Sequence, residues 1–332
     1  MDKNTKIEIS YKTIIFAVLF VVSLQFVWIL KDLFFSFLIG FILMSALRPR
    51  VESLKRHRVP HALAVVSVYL TFLLFFIALF VIVIPPIVNE TFIFLKNLPS
   101  IVEAVSDRLS PWVPASTLTN YIPNVTDQVF KVLTGVLSNA LFIVSTLFFG
   151  FYFLLDSDAL ERMVTRYLSE HHAKRVVRVL KYAEERMSSW FWGELTLMTI
   201  VGLLSFIGFS IAGIRYALPL AVLAGILEVV PTMGPLIATI PAFLVGISTS
   251  NIQGASAIAV SLVVQQLENN LIVPVVMKRA VGISPVVTLV CLIVGGKIGG
   301  VLGVLLAIPL FLFMESILLE FRKEKVVAEK PR

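Results

Sequence analysis

Cysteine, histidine and charge are what this chain has least of. Its one cysteine, Cys291, lies inside an apolar run, so no disulfide framework exists and the thiol reads as a small core residue. The four histidines, His57, His61, His171 and His172, fall in basic stretches without metal-ligand spacing, which argues against a metal site. Charged residues are 15% of the chain, against about 25% in a soluble domain. There is no nucleophile elbow and no nucleotide signature. The glycines at 295–300 follow no strand and lead into no Gly-Lys-Ser/Thr, so they are not a phosphate loop. These absences argue against an enzyme, against a cofactor and against ATP-driven transport by this chain alone.

What the chain does have is apolar length. Of 332 residues 58% are hydrophobic, and the mean hydropathy is +0.93. That composition predicts an all-α polytopic membrane protein. The net charge of +7 sits at the ends of apolar segments, as the positive-inside rule expects, and not in a nucleic-acid-binding patch. The run Thr13–Leu30 is followed by Lys31-Asp32 without a small-residue cleavage site and is read as a first membrane helix.

The membrane segments follow in order. Leu33–Leu47 pairs closely with the first helix, and Ala62–Ile84 is a third span ended by Pro85-Pro86. Residues 1–86 thus form a scaffold of three helices. Residues 87–133 are more polar and read as short amphipathic helices on the extracytoplasmic surface, and 134–155 as the fourth span. Residues 156–190 interleave Arg and Lys with apolar positions, which predicts basic amphipathic helices at the cytoplasmic face. Phe191–Ile214 is the fifth span, within a transport core of 191–321. The tail 322–332 is charged, cytoplasmic and expected to be disordered.

Two core segments are long and broken. In Leu218–Ile247 the sequence Glu228-Val-Val-Pro231-Thr-Met-Gly234-Pro235 interrupts the apolar run. Each half, about 18–20 Å as helix, is too short to cross a core of about 30 Å. Charges and freed backbone groups survive at that depth only where protein or a water-filled cavity covers them. The second break is Gly295-Gly296-Lys297-Ile298-Gly299-Gly300 inside Val286–Leu319. Reading both as re-entrant hairpins, 217–247 and 283–313, leaves six full crossings among eight membrane segments. It places 22 of the 28 Lys and Arg on the cytoplasmic side with both termini. If all eight cross, Lys278 and Arg279 fall outside. The similarity of Ile237-Ala-Thr-Ile-Pro-Ala-Phe-Leu244 to Leu305-Leu-Ala-Ile-Pro-Leu-Phe-Leu312 favours hairpins related by an internal repeat.

The residues expected along a solute or ion pathway lie in and between these breaks. Glu228 would contact a cation, a proton or a polar solute, or pair with Arg215 or Lys297. Pro231, Gly234 and Pro235 shape the turn and free carbonyls. Gln265, Glu268, Asn269 and Asn270, with Gln266, are the densest polar group in any apolar segment. They suit a neutral polyhydroxylated solute or interhelical hydrogen bonding. Pro274 follows them. Gly296, Lys297 and Gly299 form the second tip, where the lysine would bind solute, neutralise Glu228 or Glu268, or snorkel to an interface.

The blocks Gly225-Ile-Leu-Glu228-Val-Val-Pro231-Thr-Met-Gly234-Pro235, Glu268-Asn269-Asn270-Leu-Ile-Val-Pro274 with Val281-Gly-Ile-Ser-Pro285, and Gly295-Gly296 through Ala307-Ile-Pro309 resemble the signature of the AI-2E (autoinducer-2 exporter) family. The resemblance implies bacterial plasma-membrane transport of a small polar solute, two hairpins around the substrate site, an elevator-like motion and a homo-oligomer, a pentamer in the family. Some members are linked to sodium/proton exchange. Thr232-Met233 and Ser284 depart from the family's usual residues, which bears on substrate and not on fold.

Three functions are therefore compared: an exporter of a small polar solute such as autoinducer-2, a cation/proton antiporter using Na+ or H+ through Glu228 and Glu268, and a membrane scaffold docking partners on its basic helices. Membrane lipid is an expected partner of each, and nucleic acid of none.

Overall fold

The computed structural model describes residues 30–109, 139–231, 233–277 and 284–328, with isolated positions between 11 and 25. The described elements are all helices: α1 Lys31–Arg56, α2 His61–Leu109, α3 Ala140–Leu155, α4 Ala159–Tyr167, α5 Glu170–Ile211, α6 Ala217–Leu227, α7 Met233–Thr249, α8 Asn251–Leu267 and α9 Pro285–Ala328. A π-helical turn, Glu268–Ile272, carries α8 on into Val273–Val276. Most of 13–29, residues 110–138, and Lys278 and Arg279 lie outside the described residues. So do the greater part of the polar extracytoplasmic segment and the residues that favour the hairpin topology on charge.

Five described helices are long and apolar enough to cross a membrane, and a sixth is counted if the pair α3–α4, bent by 65°, is taken as one span. This is a multi-pass helical membrane protein. Eight membrane segments are not established by that measure.

Two expectations from proline and charge are corrected. The helix that carries the third span does not stop at Pro85-Pro86. α2 carries Pro85, Pro86 and Pro99 inside one run of 49 residues, about 74 Å at 1.5 Å per residue, so it extends well beyond a bilayer core. Proline's φ is already helical. It costs local hydrogen bonds and bends the axis, which membrane helices tolerate when neighbouring groups satisfy the freed carbonyls. Nor are the basic segment and the fifth span separate. α5 runs 42 residues through both, because no proline or glycine interrupts Glu170 to Trp192. The tail also stays helical to Ala328, as no glycine or proline follows Pro309 until Pro331.

The first core joins α1, α2, α3, α5 and the last helix. Phe35, Phe41, Leu43, Met44 and Leu47 of α1 pack with Val65 and Tyr69 of α2, Leu154 of α3, Met187 of α5 and Leu306 of α9. At one end of this bundle Arg48 donates to Glu52, to Asp158 (2.8 Å) and to Glu184 (2.7 Å). It thereby ties α1 to the α3–α4 corner and to α5.

Both broken segments double back. α6 and α7 pack so closely at the first break that a Cβ added to Gly234 would lie 2.0 Å from the Leu227 carbonyl oxygen. α6 returns along α5, with Gly225 against the Met198 carbonyl. At its base Tyr216 takes a left-handed conformation (φ 58°), and its hydroxyl accepts a hydrogen bond from Asn97 of α2 (2.8 Å).

The second reversal lies within α9. Gly300 has φ 57° and ψ −136°, outside any helix. A Cβ on Gly303 would come 1.9 Å from the Gly295 carbonyl oxygen, and one on Gly295 would come 2.3 Å from that of Gly303. Residues eight apart in a straight helix are separated by about 12 Å, so α9 is a hairpin with arms 285–299 and 301–328. Its tip meets the Phe35 ring at Gly299. Ile308 and Leu312 of its second arm pack with Trp190 and Leu197 of α5, and farther along Arg186 donates to Glu315 (2.6 Å). The first hairpin thus starts at the C-terminal end of α5 and the second returns toward the N-terminal half of α5. They enter the bundle from opposite ends.

Candidate transport site at the first hairpin tip

Glu228 caps the C-terminal end of α6, where the chain leaves the helix for the Pro231–Gly234 turn. It is 1% exposed. Two other acids share its surroundings: Glu268, 3% exposed, from the π turn of α8, and Glu194, 4% exposed, from α5. The carboxyl groups of Glu228 and Glu268 lie within hydrogen-bonding reach of one another, and Glu194 is close enough to act electrostatically on both. One oxygen of each carboxyl group has no hydrogen-bond partner.

Local sequence explains the arrangement. Gly225 and Gly234 let α6 approach α5 and α7 backbone to backbone, which brings the tip down onto α5 near Glu194. In α8, Pro274 has no N–H to offer and its ring crowds the helix preceding it. The π turn Glu268–Ile272 absorbs the mismatch. Val264, Glu268 and Ile272, spaced four residues apart, are buried on one side of this segment, and Gln266, Leu267, Asn269, Asn270 and Leu271 face out.

Hence the polar cluster of α8 does not act as one face. Glu268 is buried and Gln265 half-buried, whereas Gln266, Asn269, Asn270 and Pro274 are exposed. The Asn270 amide donates to the Gln266 side-chain oxygen (2.8 Å) and backbone carbonyl (3.0 Å) one turn back, so these two satisfy each other along the helix. Gly234 and Pro235 are buried at the tip beside Glu228, and Pro231 is half-buried. At the other tip Gly296 and Gly299 are half-buried and Lys297 is exposed. Lys297 has no ion pair among the described residues, and neither it nor Arg215 neutralises Glu228, whose charged neighbours among those residues are the two other acids.

Glu194 is the residue that sequence reasoning missed. It is the one charged residue in Phe191–Ile214, directly after Gly193. A lone acid in a predicted span was the available signal. Among the described residues no group of three or more His, Cys, Asp or Glu side chains has the geometry to hold a metal ion, the three glutamates included.

Opposed hairpins in an apolar helical bundle, with carboxylates buried at one tip, define a multi-pass membrane transport protein. The chain belongs to the AI-2E transporter family, whose sequence model matches residues 14–323. It is similar to the "Putative transport protein YueF" of Bacillus subtilis (strain 168), 27% identical over 316 residues that cover 89% of this chain and 85% of that protein. It is also similar to the "Putative permease PerM" of Escherichia coli (strain K12), 26% identical over 243 residues covering 70% and 68%. The "Putative transport protein sll0063" of Synechocystis sp. (strain ATCC 27184 / PCC 6803 / Kazusa) is 24% identical over 323 residues covering 91% and 81%.

Proposed function

We propose that this chain is a secondary transporter that exports a small polar solute, of the autoinducer-2 type, across the bacterial plasma membrane, with both termini cytoplasmic. In this reading the Glu228–Glu268–Glu194 cluster is the coupling site. The observation that carries it is the first of these: a fully buried carboxylate at a hairpin tip, facing another carboxylate and, among the described residues, no cation. Two carboxylates so close in a low-dielectric site cannot both hold a charge without a proton or cation between them. A shared proton needs no coordination shell, which favours H+ over Na+ as the coupling ion.

Solute would bind against the tip carbonyls around Pro231–Pro235 and the half-buried Gln265 amide. Binding there would change the proton occupancy of the pair. The two hairpins entering from opposite ends of α5 would open the site alternately to each face, in an elevator-like motion of the hairpins against the scaffold of α1–α3. A homo-oligomer would hold that scaffold still.

A second reading, a cation/proton antiporter without an organic solute, draws on the same carboxylates. Proteoliposomes loaded with labelled autoinducer-2 separate the two, with and without pH and sodium gradients. The exporter reading expects proton-dependent solute efflux that Glu228→Gln abolishes and Gln265→Ala weakens. A sodium-driven pH change lost in Glu228→Gln, without solute flux, replaces it with the antiporter. Neither flux, in folded protein, overturns both and leaves a membrane scaffold.

A further inference from the structure

Away from the hairpins, an apolar cleft of about 510 Å³ opens between α1, α2 and α5. Leu47 and Leu54 of α1, Phe72, Phe75 and Phe76 of α2 and Trp192 of α5 line it with Ser67 and Thr71 of α2, and Arg50 lies on the α1 wall between the two leucines. The Trp192 indole N–H donates to the Ala46 carbonyl (3.0 Å), which fixes that wall of the cleft in place. Arg50 is exposed and has no ion-pair partner among the described residues. Lys55, Arg56 and Arg58, also exposed, follow it within about two turns.

We propose that this cleft holds one acyl chain of an anionic phospholipid, with the headgroup phosphate on Arg50. The lining is mostly aliphatic and aromatic, and it carries one guanidinium without an ion-pair partner among the described residues. An acyl chain with an anionic headgroup combines the two chemistries that such a lining would bind. Guanidinium pairs with phosphate through two parallel hydrogen bonds, and basic pockets between membrane helices select anionic headgroups in this manner. A second copy of the chain fits less well. All copies share one orientation in a bilayer, so a neighbour packed through the same face would set its own basic end level with Arg50. The lipid would bridge the scaffold helices α1 and α2 to α5, which carries Glu194.

The test uses the full-length protein, purified in detergent and stripped of lipid. It is then offered an equimolar mixture of phosphatidylglycerol and phosphatidylcholine with identical chains, and retained lipid is counted by native mass spectrometry. Wild type should retain phosphatidylglycerol over phosphatidylcholine by about fivefold, the factor one basic residue contributes near an anionic headgroup. Arg50→Gln should lose that preference, Arg50→Lys, which keeps the charge but not the paired hydrogen bonds, should keep only part of it, and Thr71→Trp, which fills the cleft, should lose both lipids. Helical content and a monodisperse elution profile confirm that each variant is folded, and Ser67→Phe takes the place of Thr71→Trp if that variant is not. Free glycerol phosphate should not compete. The proposal fails if Arg50→Gln keeps the preference, if the filled cleft still retains lipid, or if glycerol phosphate displaces it. It also fails if filling the cleft dissociates an oligomer that carries no lipid, which would make a second copy the occupant.

Discussion

The two hairpins share a shape and differ in what they place at the tip. The α6–α7 hairpin ends on Glu228, 1% exposed and among other acids. The α9 hairpin carries Lys297 one turn before its reversal at Gly300, exposed and unpaired among the described residues. Their bases differ too. The first is held by the neutral Asn97–Tyr216 hydrogen bond and by Gln253 donating to the Gly213 carbonyl (3.0 Å). The second is held by the Arg186–Glu315 ion pair. One architecture can therefore serve two tasks. A buried charge at a tip is a chemical site, and an exposed one leaves the tip a matter of backbone geometry.

The largest effects should come from the tight tips that both hairpins share. Gly234→Ala and Gly303→Ala each place a methyl about 2 Å from a backbone carbonyl oxygen. Backbone cannot swing aside as a side chain can, so each should cost about 3 kcal/mol or more. A fall in thermal midpoint in detergent, or loss of folded protein, is the readout. If one is tolerated, that hairpin is not closed as described.

Transport should separate the two tips next. Glu228→Gln is expected to abolish proton-coupled flux while the protein stays folded, because it removes the titrating group and keeps the shape. Lys297→Met should leave flux within about threefold, since an exposed, unpaired lysine contributes little. Equal losses would dissolve the contrast between the hairpins.

The bases give a smaller contrast. Glu315→Ala leaves the largely buried Arg186 without its partner and should cost about 1.5–3 kcal/mol, the range for a hydrogen bond to a charged group. Asn97→Ala should cost about 0.5–1.5 kcal/mol, the range for a neutral one. Thermal melts of the two variants, side by side, test the order. Smaller still should be Lys174→Ala, which breaks an exposed i,i+4 pair with Glu170 and should shift stability by less than about 0.5 kcal/mol.

The breaks in the core were legible because their cause is local. A glycine pair, a proline or an acid in an apolar run each changes what the backbone can do within a few residues. Both reversals fall inside the stretches 228–235 and 295–300 that the sequence marks. The proline pair at 85–86 shows where such reading fails. Proline at 231 and 235 accompanies a break and proline at 85 and 86 does not. The difference is not in the proline but in Gly234, which lets the chain fold back onto Leu227. Glu228 and Glu268 were identifiable from sequence as charges in lipid-length segments, whereas Glu194 was missed. The α8 polar residues were legible as a group, but which of them is buried was not: Glu268 is buried with Val264 and Ile272, and Asn269 and Asn270 are exposed.

By itself, then, the sequence determined the membrane class, the positions of the helix breaks and the family, since these rest on composition, local backbone chemistry and motif order. Only the tertiary structure decided that three glutamates from α5, α6 and α8 meet, that Asn269 and Asn270 turn away from them, and that Lys297 stays apart. Those outcomes depend on close helix approaches at Gly225 and Gly234 and on which side of α8 is buried. Helical periodicity along a single segment encodes neither the distance between helices nor which neighbour a face meets.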